Sequence, residues 1–278
     1  MVVYKFTCSL PKWHIFLQVQ DYDLLHYIKN AFINFVCTET AYITDLNNCI
    51  YINNETTGCS IKYKTEEFRT SHNYDEILFV IYEFFEKSAM QYQYNNICSF
   101  HGGVITKNGK AFALLAKSHI GKSTLIANMV TKQIKCLSDD TVYVDNTTYC
   151  VYEFPLPIRI RDFTYVNIDK SIYNIVNLKN CYTKEKEYFI VSPHMQGQCN
   201  ARLNYFVFLE RNNDTEVTPV SKLQCCKNLL YNYKTLQFEN KKLDIAKLAE
   251  TIPAINLKYN NPNNAVCLLK ELFEQNIV

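Results

Sequence analysis

Residues 110–130, Lys-Ala-Phe-Ala-Leu-Leu-Ala-Lys-Ser-His-Ile-Gly-Lys-Ser-Thr-Leu-Ile-Ala-Asn-Met-Val, join an apolar run to a helical pattern through a short polar segment. The apolar run, Ala111 to Ala116, is typical of a buried strand. The later apolar residues recur at the spacing of one helix face: Leu125, Ile126, Met129, Val130 and Ile134. Because N–H groups at a helix N-terminus attract anions, this strand-to-helix junction is the setting that a phosphate-binding loop requires.

The junction contains the sequence Gly121-Lys122-Ser123-Thr124. In a phosphate-binding loop the lysine reaches the β- and γ-phosphates of a nucleotide, and the following hydroxyl ligates Mg²⁺. The consensus G-x-x-x-x-G-K-[ST] has its first glycine replaced by Ala116, which fits if its φ is negative. The alternative is a capped helix whose lysine is simply solvated.

Two aspartates follow the next predicted strand, Ile134 to Leu137. Carboxylates beside a phosphate-binding loop complete Mg²⁺ coordination, and one of them can deprotonate an attacking hydroxyl. Adjacent side chains on a strand point to opposite faces, so Asp139 and Asp140 can both serve only if the chain bends there. An isolated Asp-Asp is more typical of a solvated turn, but its distance from Lys122 favours a site.

The remaining pattern gives the expected domain organisation. Short apolar and aromatic pieces before about residue 70 predict several strands with loops. Helical spacing then begins at Tyr74, with Asn73 or Asp75 as the cap, and Asn108-Gly109 predicts a two-residue hairpin. We therefore expect a strand-rich N-terminal segment, 1–72, and an α/β core, 73–278. Further elements of the core are predicted as one strand and three helices: 205–209, 223–233, 243–251 and 263–274.

Composition and charge exclude several classes of protein. The 278 residues carry 29 basic and 27 acidic side chains, a net charge of +2, which gives no general field for nucleic acid or anionic lipid. The 12 cysteines include no Cys-x-x-Cys pair, so neither a zinc ribbon nor a thioredoxin-type site is expected. With no export signal and no apolar run of about 20 residues, we expect a cytoplasmic protein with reduced thiols and neither a nucleic-acid nor a membrane partner.

Four sequence landmarks, in this order, resemble those of the HPr kinase/phosphorylase-like proteins, and in particular the HPr kinase-related enzymes of peptide natural-product pathways such as lasso-peptide tailoring kinases. They are Phe100-His101-Gly102-Gly103-Val104, Gly121-Lys122-Ser123-Thr124-Leu125, Ser138-Asp139-Asp140-Thr141-Val142 and Phe154-Pro155-Leu156-Pro157-Ile158-Arg159. The resemblance covers roughly residue 74 to the C-terminus. It implies a P-loop kinase core of the type shared with phosphoenolpyruvate carboxykinase, preceded by the smaller strand-rich segment.

The resemblance also implies roles for individual residues. Lys122 would hold the phosphates, Asp139 and Asp140 would supply metal coordination and the base, and His101 would lie beside the transferred phosphate. The cofactors would be ATP and Mg²⁺, with Ser123, Asp139 and Asp140 at the metal. The nucleotide would be held by the loop and the first turn of the helix: Ser118, His119, Ile120, Gly121, Lys122, Ser123 and Thr124.

Three of these assignments have alternatives in the sequence. His101 by itself is more typical of a hydrogen-bonded structural histidine. Arg159 and Arg161 point the same way along a strand and would grip phosphate or an acidic acceptor, or they form an exposed strand face. His119 stands where relatives carry a second loop glycine, so a side chain occupies a place where the backbone normally approaches phosphate closely, unless that side chain turns outward.

Together these features predict an ATP-dependent kinase acting on a hydroxyl, that of serine, in a precursor peptide or small protein. The alternative is a noncatalytic accessory protein that binds nucleotide or peptide and has a degenerate loop. A small-molecule phosphotransferase on the same scaffold is a third hypothesis. The sequence leaves a homo-oligomer open.

Overall fold

The structure, a computed structural model, describes residues 2–91, 96–131, 133–161, 166–168, 173–179, 186–191, 200–234 and 242–275. The strands in these ranges are β1 Val2–Thr7, β2 His14–Val19, β3 Val36–Thr40, β4 Cys49–Glu55, β5 Gly58–Tyr63, β6 Glu66–Thr70, β7 Ile97–Lys107, β8 Lys110–Leu115, β9 Lys135–Ser138, β10 Thr141–Asp145, β11 Cys150–Tyr152, β12 Ile158–Ile160, β13 Asn174–Lys179, β14 Lys186–Val191, β15 Asn200–Arg211, β16 Glu216–Pro219 and β17 Ala254–Tyr259. The α-helices are α1 Tyr22–Ala31, α2 Tyr74–Gln91, α3 Lys122–Met129, α4 Lys222–Tyr231, α5 Lys242–Thr251 and α6 Pro262–Glu274.

The chain is a mixed α/β protein that divides into two compact units. The first unit contains Met1–Tyr92, Pro155–Arg161 and Lys170–Gln196. The second contains Gln93–Phe154, Asp162–Asp169 and Gly197–Val278. This division differs from the expected boundary at residue 72, because α2 and two later segments belong to the first unit.

The first unit is built on a six-stranded sheet in the order β3-β1-β2-β4-β5-β6, accompanied by a three-stranded sheet, β12-β14-β13. All the pairings in the larger sheet are antiparallel except that of β2 with β4. Strands alone were predicted before residue 70, and that expectation was incomplete because α1 lies between β2 and β3. The Asp21 carboxylate caps α1 by accepting the N–H of Leu24 at 3.0 Å, and Leu24, Leu25 and Ile28 are buried.

Helix α2 joins the first unit through its aromatic face. The ring of Phe85 stacks on Phe32 with centroids 4.6 Å apart, and Ser88 Oγ accepts a hydrogen bond of 3.0 Å from the indole of Trp13. The predicted cap is confirmed as Asn73, whose side-chain oxygen accepts the N–H of Asp75 at 2.8 Å. The helix therefore packs in the core of the segment that precedes it.

The second unit is built on an eight-stranded mixed sheet. Its main order is β11-β10-β7-β8-β15-β17-β16, with β9 paired to β7 and the start of β15 also paired to β11. Strands β8, β15 and β17 are parallel neighbours. The predicted strand and the three predicted helices of this region are confirmed as β15, α4, α5 and α6.

Strand β8 is buried on both faces, as its unbroken apolar run predicts. Ala111, Ala113 and Leu115 join one core cluster with residues of α4 and α5. On the opposite face, the ring of Phe112 stacks on Phe273 of α6 at 3.9 Å. The hairpin before it is confirmed: β7 and β8 pair through Lys107 and Lys110, and Asn108 and Gly109 have positive φ of 53° and 76°.

Two further features concern the cysteines and the helices. Every cysteine within the described ranges is a free thiol, and five of them are buried: Cys49, Cys59, Cys98, Cys136 and Cys225. Cys181 and Cys199 lie outside those ranges. None of the helices that the structure describes has the length and apolarity needed to cross a lipid bilayer.

Burial of Glu153 gives the second unit a pH-dependent stability. The side chain is 5% exposed, and this desolvation raises its pKa to about 7, against an opposing effect of Lys135. The folded state then binds a proton that the unfolded chain releases above about pH 4.5. The free energy of unfolding should therefore fall as the pH rises from about 4.5 to about 7.

We expect Glu153→Gln, which is neutral at every pH, to remove the part of the fall in unfolding free energy that comes from Glu153. Relative to wild type, the variant should gain about 3 kcal/mol of unfolding free energy between pH 4.5 and 8. Chemical denaturation across that pH range measures the difference, with the exposed Glu250→Gln as the matched control. If the difference in unfolding free energy between wild type and Glu153→Gln does not change with pH, burial does not raise the pKa of Glu153.

Candidate phosphate-binding site

The polar junction after β8 forms a loop that ends at Gly121, the N-cap residue of α3. Gly121 has a φ of 99°, a left-handed conformation that favours glycine. Its carbonyl accepts the N–H of Leu125 at 2.9 Å, which begins the helix. A Cβ at Gly121 would lie 2.9 Å from Nη2 of Arg211. The backbone conformation therefore favours glycine at this position, and a Cβ would in addition require the guanidinium of Arg211 to shift.

The two loop positions that depart from the glycine pattern behave differently. Ala116 is buried and is not among the described residues with positive φ, so alanine fits there, as expected. His119 has a φ of 68° and an exposed side chain. A left-handed histidine costs roughly 1 kcal/mol relative to glycine, so the loop keeps a glycine-like backbone at this position despite the substitution.

Two contacts hold the loop in place. The Tyr259 hydroxyl, at the end of β17, donates a hydrogen bond of 3.1 Å to the carbonyl of Ile120. Nζ of Lys117 lies 5.7 Å from the ring centroid of Tyr231 on α4. The loop is thus attached to the sheet on one side and to α4 on the other, while Ser118 and His119 remain exposed.

Lys122 begins α3 and is buried beneath the loop, with 6% exposure. Its Nζ lies 2.5 Å from Oδ1 of Asp139 and 3.3 Å from Oδ1 of Asp140. Burial alone would lower the pKa of Lys122, but the two carboxylates outweigh it and raise that pKa. The lysine is therefore a permanent cation, and the structure brings together three of the predicted catalytic residues.

Asp139 and Asp140 form the bend that the sequence required. Strand β9 ends at Ser138 and β10 begins at Thr141, and Asp140 between them has a φ of 67°. Because of this turn, the two adjacent carboxylates reach the same lysine instead of pointing to opposite faces of a strand. Asp139 is completely buried, whereas the Asp140 side chain is 22% exposed.

One oxygen in this group has no partner. Oδ2 of Asp139 is buried and, within the described residues, accepts no hydrogen bond, and the same holds for Oγ of the buried Ser138. A buried carboxylate oxygen is costly to leave unmatched. Its chemistry fits Mg²⁺, a hard cation that binds one or two carboxylates and takes its other oxygens from water and phosphate.

No group of three or more His, Cys, Asp or Glu side chains in the described ranges could hold a metal ion by itself. Ser123 and Thr124 are half-buried in the first turn of α3, next to Lys122. Their hydroxyls belong to the same end of the helix, where a metal-bound phosphate is expected.

His101 lies on β7 directly opposite Thr141 of β10. Burial lowers its pKa, and the nearby charges of Lys122 and Lys234 lower it further, against smaller opposite effects of Asp140 and Asp139. His101 is therefore neutral near pH 7, with one ring nitrogen as donor and the other as acceptor. It lies within electrostatic reach of the other three predicted catalytic residues, Lys122, Asp139 and Asp140.

Sequence reasoning missed Lys234. Its Nζ donates a hydrogen bond of 3.0 Å to Oγ1 of Thr141, and its N–H donates to the carbonyl of Ser99 on β7. Tyr233 forms an isolated bridge with Phe100, so the chain turns into the sheet where the sequence predicted the end of a helix. No local sequence pattern predicts that the chain pairs with β7 after α4. This pairing places Lys234 near His101, in addition to Lys122.

Sequence reasoning also missed Arg211, the last residue of β15. Its guanidinium stacks over the ring of Tyr259 at 4.9 Å, and Nη1 donates a hydrogen bond of 2.6 Å to the carbonyl of Asn260. The signal available in the sequence was an arginine at the end of an apolar strand. It indicates a place near the loop only when β15 is known to pair with β8.

The predicted substrate arginines belong to the first unit. Nη1 of Arg159 lies 2.7 Å from Oε1 of Glu83, and its guanidinium lies 4.9 Å from the ring centroid of Phe79. These contacts, both to residues of α2, give Arg159 a structural role in that unit. Arg161 follows β12 and is exposed, and a substrate-binding role for either arginine stays a prediction.

The buried ion pair gives a stability prediction. We expect Asp139→Asn to lower the free energy of unfolding by about 3 kcal/mol, because it leaves the buried Lys122 without its nearest carboxylate. Asp140→Asn is the matched control and should cost under about 1 kcal/mol, because its longer contact is partly solvated.

The double variant Lys122→Met/Asp139→Asn removes both charges and should recover much of the loss. The single variant Lys122→Met completes the cycle. Chemical denaturation of wild type, Lys122→Met, Asp139→Asn and the double variant in one buffer gives the coupling free energy of the pair. Equal losses in the two aspartate variants, or additive effects in the double variant, would contradict a dominant Lys122–Asp139 pair.

The environment of His101 gives a second prediction. In a metal-free NMR titration, the His101 pKa should lie below the ordinary value of 6.5, and Lys234→Gln should raise it because one nearby positive charge is gone. Lys247→Gln, at an exposed position of α5, is the control. An unchanged His101 midpoint in Lys234→Gln would show that Lys234 does not act on the histidine.

No protein-family model matches the sequence, and no curated protein matches it. Among solved structures, the chain is similar to the Hpr(Ser) kinase/phosphatase from Coxiella burnetii, with 8% sequence identity and a TM-score of 0.32. The similarity covers 64% of this chain and 94% of that chain. An identity and a TM-score this low do not assign a function, so the function has to be inferred from the site itself.

Proposed function

We propose that the protein is an ATP-dependent kinase that transfers the γ-phosphate to a hydroxyl, that of serine, in a precursor peptide or small protein. One observation carries the proposal. The buried Lys122 at the start of α3 pairs with two carboxylates, and Oδ2 of the nearer carboxylate is buried without a partner among the described residues. Phosphoryl transfer needs these parts: a cation for the phosphates, carboxylates for a metal, and a base.

The residues around the loop divide the tasks of the reaction in this proposal, and Asp140 has two of them. The N–H groups at the start of α3 and the ammonium of Lys122 bind the phosphate chain. Asp139, Asp140 and Ser123 would hold Mg²⁺, which when bound neutralises charge on the phosphates. Asp139 is fully buried and Asp140 is partly exposed, so only Asp140 is accessible to an acceptor hydroxyl. We therefore assign Asp140 as the base.

His101 would act as a neutral hydrogen-bonding group beside the transferred phosphate. Its depressed pKa keeps its charge from competing with Lys122 and Lys234, while its ring N–H remains available to a phosphate oxygen. The choice of a serine acceptor in a peptide or small protein comes from the ordered landmarks around His101, Lys122 and Asp139. The choice of ATP as the phosphate donor rests on the same landmarks.

The accessory function is the second candidate, and the conformation of His119 favours it. A left-handed histidine puts a side chain in a loop that relatives of the motif build with glycine. In this reading the protein binds nucleotide or peptide but does not transfer phosphate. The two candidates share Lys122 and the start of α3, and they differ in whether the carboxylates perform chemistry.

Transfer of label from γ-labelled ATP, with Mg²⁺ and a panel of serine-containing peptides and their Ser→Ala partners, tests the proposal. We expect label on serine peptides only. Asp140→Asn should reduce the rate roughly 100-fold or more because the base is lost, while ADP binding persists. Asp214→Asn, an exposed substitution in the same unit, is the matched control and should retain full activity.

The outcomes separate the candidates. Nucleotide binding without transfer or hydrolysis across the panel would favour the accessory function, and full activity of Asp140→Asn would refute its role as base. Lys122→Ala is a poorer probe, because it also leaves the buried Asp139 without its cation and so perturbs the fold.

A further inference from the structure

Arg211 is a cation at the phosphate-binding loop that the kinase reaction, as described above, does not use. It ends β15, which runs parallel to β8 and pairs with it up to Leu115, just before the loop. Parallel neighbours end at the same edge of a sheet, so Arg211 and the loop share that edge. Nη2 of Arg211 lies 2.9 Å from the position that a Cβ on Gly121 would occupy.

The guanidinium is fixed in orientation but not neutralised. The ring of Tyr259 supports one face of it, and the carbonyl of Asn260 accepts Nη1 at 2.6 Å. In the described part of the chain, no carboxylate forms an ion pair with Arg211. An arginine held flat by an aromatic ring, with donors left over, is suited to binding a phosphate.

The strand order indicates which phosphates Arg211 would reach. His101, Asp139 and Asp140 come from β7 and the β9–β10 turn, on one side of β8, whereas Arg211 and Tyr259 come from β15 and β17, on the other side. The carboxylates mark the end where the metal and the transferred phosphate belong. Arg211 therefore lies toward the opposite end of a phosphate chain bound across the start of α3.

We propose that Arg211 binds the α- or β-phosphate of the nucleotide, the part that ATP and ADP have in common. This proposal rests on the proposed function in one respect, that the ligand is a nucleotide. It makes Arg211 a binding residue that positions the phosphate chain from the side opposite Asp139. A Cβ at Gly121 would require this guanidinium to shift.

A structural role is the competing explanation, because Arg211 stacks on Tyr259, which holds the loop. Tyr259→Phe separates the two roles: it removes the hydrogen bond to the carbonyl of Ile120 but keeps the aromatic ring under the guanidinium. Arg211→Gln removes the charge. Arg202→Gln makes the same charge change at an exposed position near the start of β15, away from the loop.

Calorimetric titration of the full chain with ADP and with pyrophosphate, each with Mg²⁺, tests the proposal without turnover. Arg211→Gln should bind both ligands roughly 10- to 100-fold more weakly, the loss expected for one charge-assisted hydrogen bond. Arg211→Lys should retain part of the affinity, and Arg202→Gln all of it. Because salt screens an exposed cation, raising the salt concentration should weaken ADP binding less in Arg211→Gln than in wild type.

The outcomes distinguish this proposal from the proposed function. If wild type binds ADP and Arg211→Gln binds it equally well, the role of Arg211 is overturned and the nucleotide site stands. If Tyr259→Phe loses as much affinity as Arg211→Gln, with an unchanged salt dependence in both, the arginine is structural and the proposal fails. If wild type binds neither ADP nor pyrophosphate, both the nucleotide function and the role of Arg211 are refuted.

Discussion

The contact between Lys122 and Asp139 determines how the second unit is assembled around its loop. It joins the start of α3 to the end of β9, and both lie against β7 at its glycines. A Cβ on Gly103 would lie 3.0 Å from the carbonyl oxygen of Ser138 and 3.3 Å from Oδ1 of Asp139. A Cβ on Gly102 would lie 2.6 Å from the carbonyl oxygen of Leu114. A Cβ on Gly103 would also lie too close to Cδ1 of Ile126 on α3, so glycine at this position of β7 lets both α3 and the end of β9 pack against the strand.

This contact is a costly way to stabilise a fold, which is why it indicates function. The cost of removing two charges from water is offset only when their polar atoms all have hydrogen-bond partners. Within the described residues, Oδ2 of Asp139 has no such partner. An apolar pair of similar volume would fill the same space without that cost. Features that lower stability, such as a buried polar atom without a hydrogen bond, are expected mainly at functional sites. The unmatched oxygen next to a buried lysine thus favours a ligand-binding role over a purely structural one.

The sequence predicted those parts of the fold that depend on neighbouring residues. The Asn108-Gly109 turn, the Asn73 cap and the strand-to-helix junction at Gly121 are local, and each is confirmed. Helix α1 was missed although its signal is also local: after the Asp21 cap, the buried residues Leu24, Leu25, Ile28 and Ala31 recur at helical spacing. Arg211 and Lys234 could not be found in this way, because they reach the site only through strand pairing between residues distant in sequence. The assignment of α2 to the first unit depends on the same kind of long-range packing.

The near-neutral charge of the chain is compatible with an anion site because the charges around the loop are unevenly placed. Within the described residues, four cations lie in or near the loop with the two carboxylates, a net charge of +2: Lys117, Lys122, Lys234 and Arg211. The N-terminal end of α3 adds roughly half a charge. The chain as a whole therefore needs no basic surface, since the attraction is concentrated at a single strand-to-helix junction.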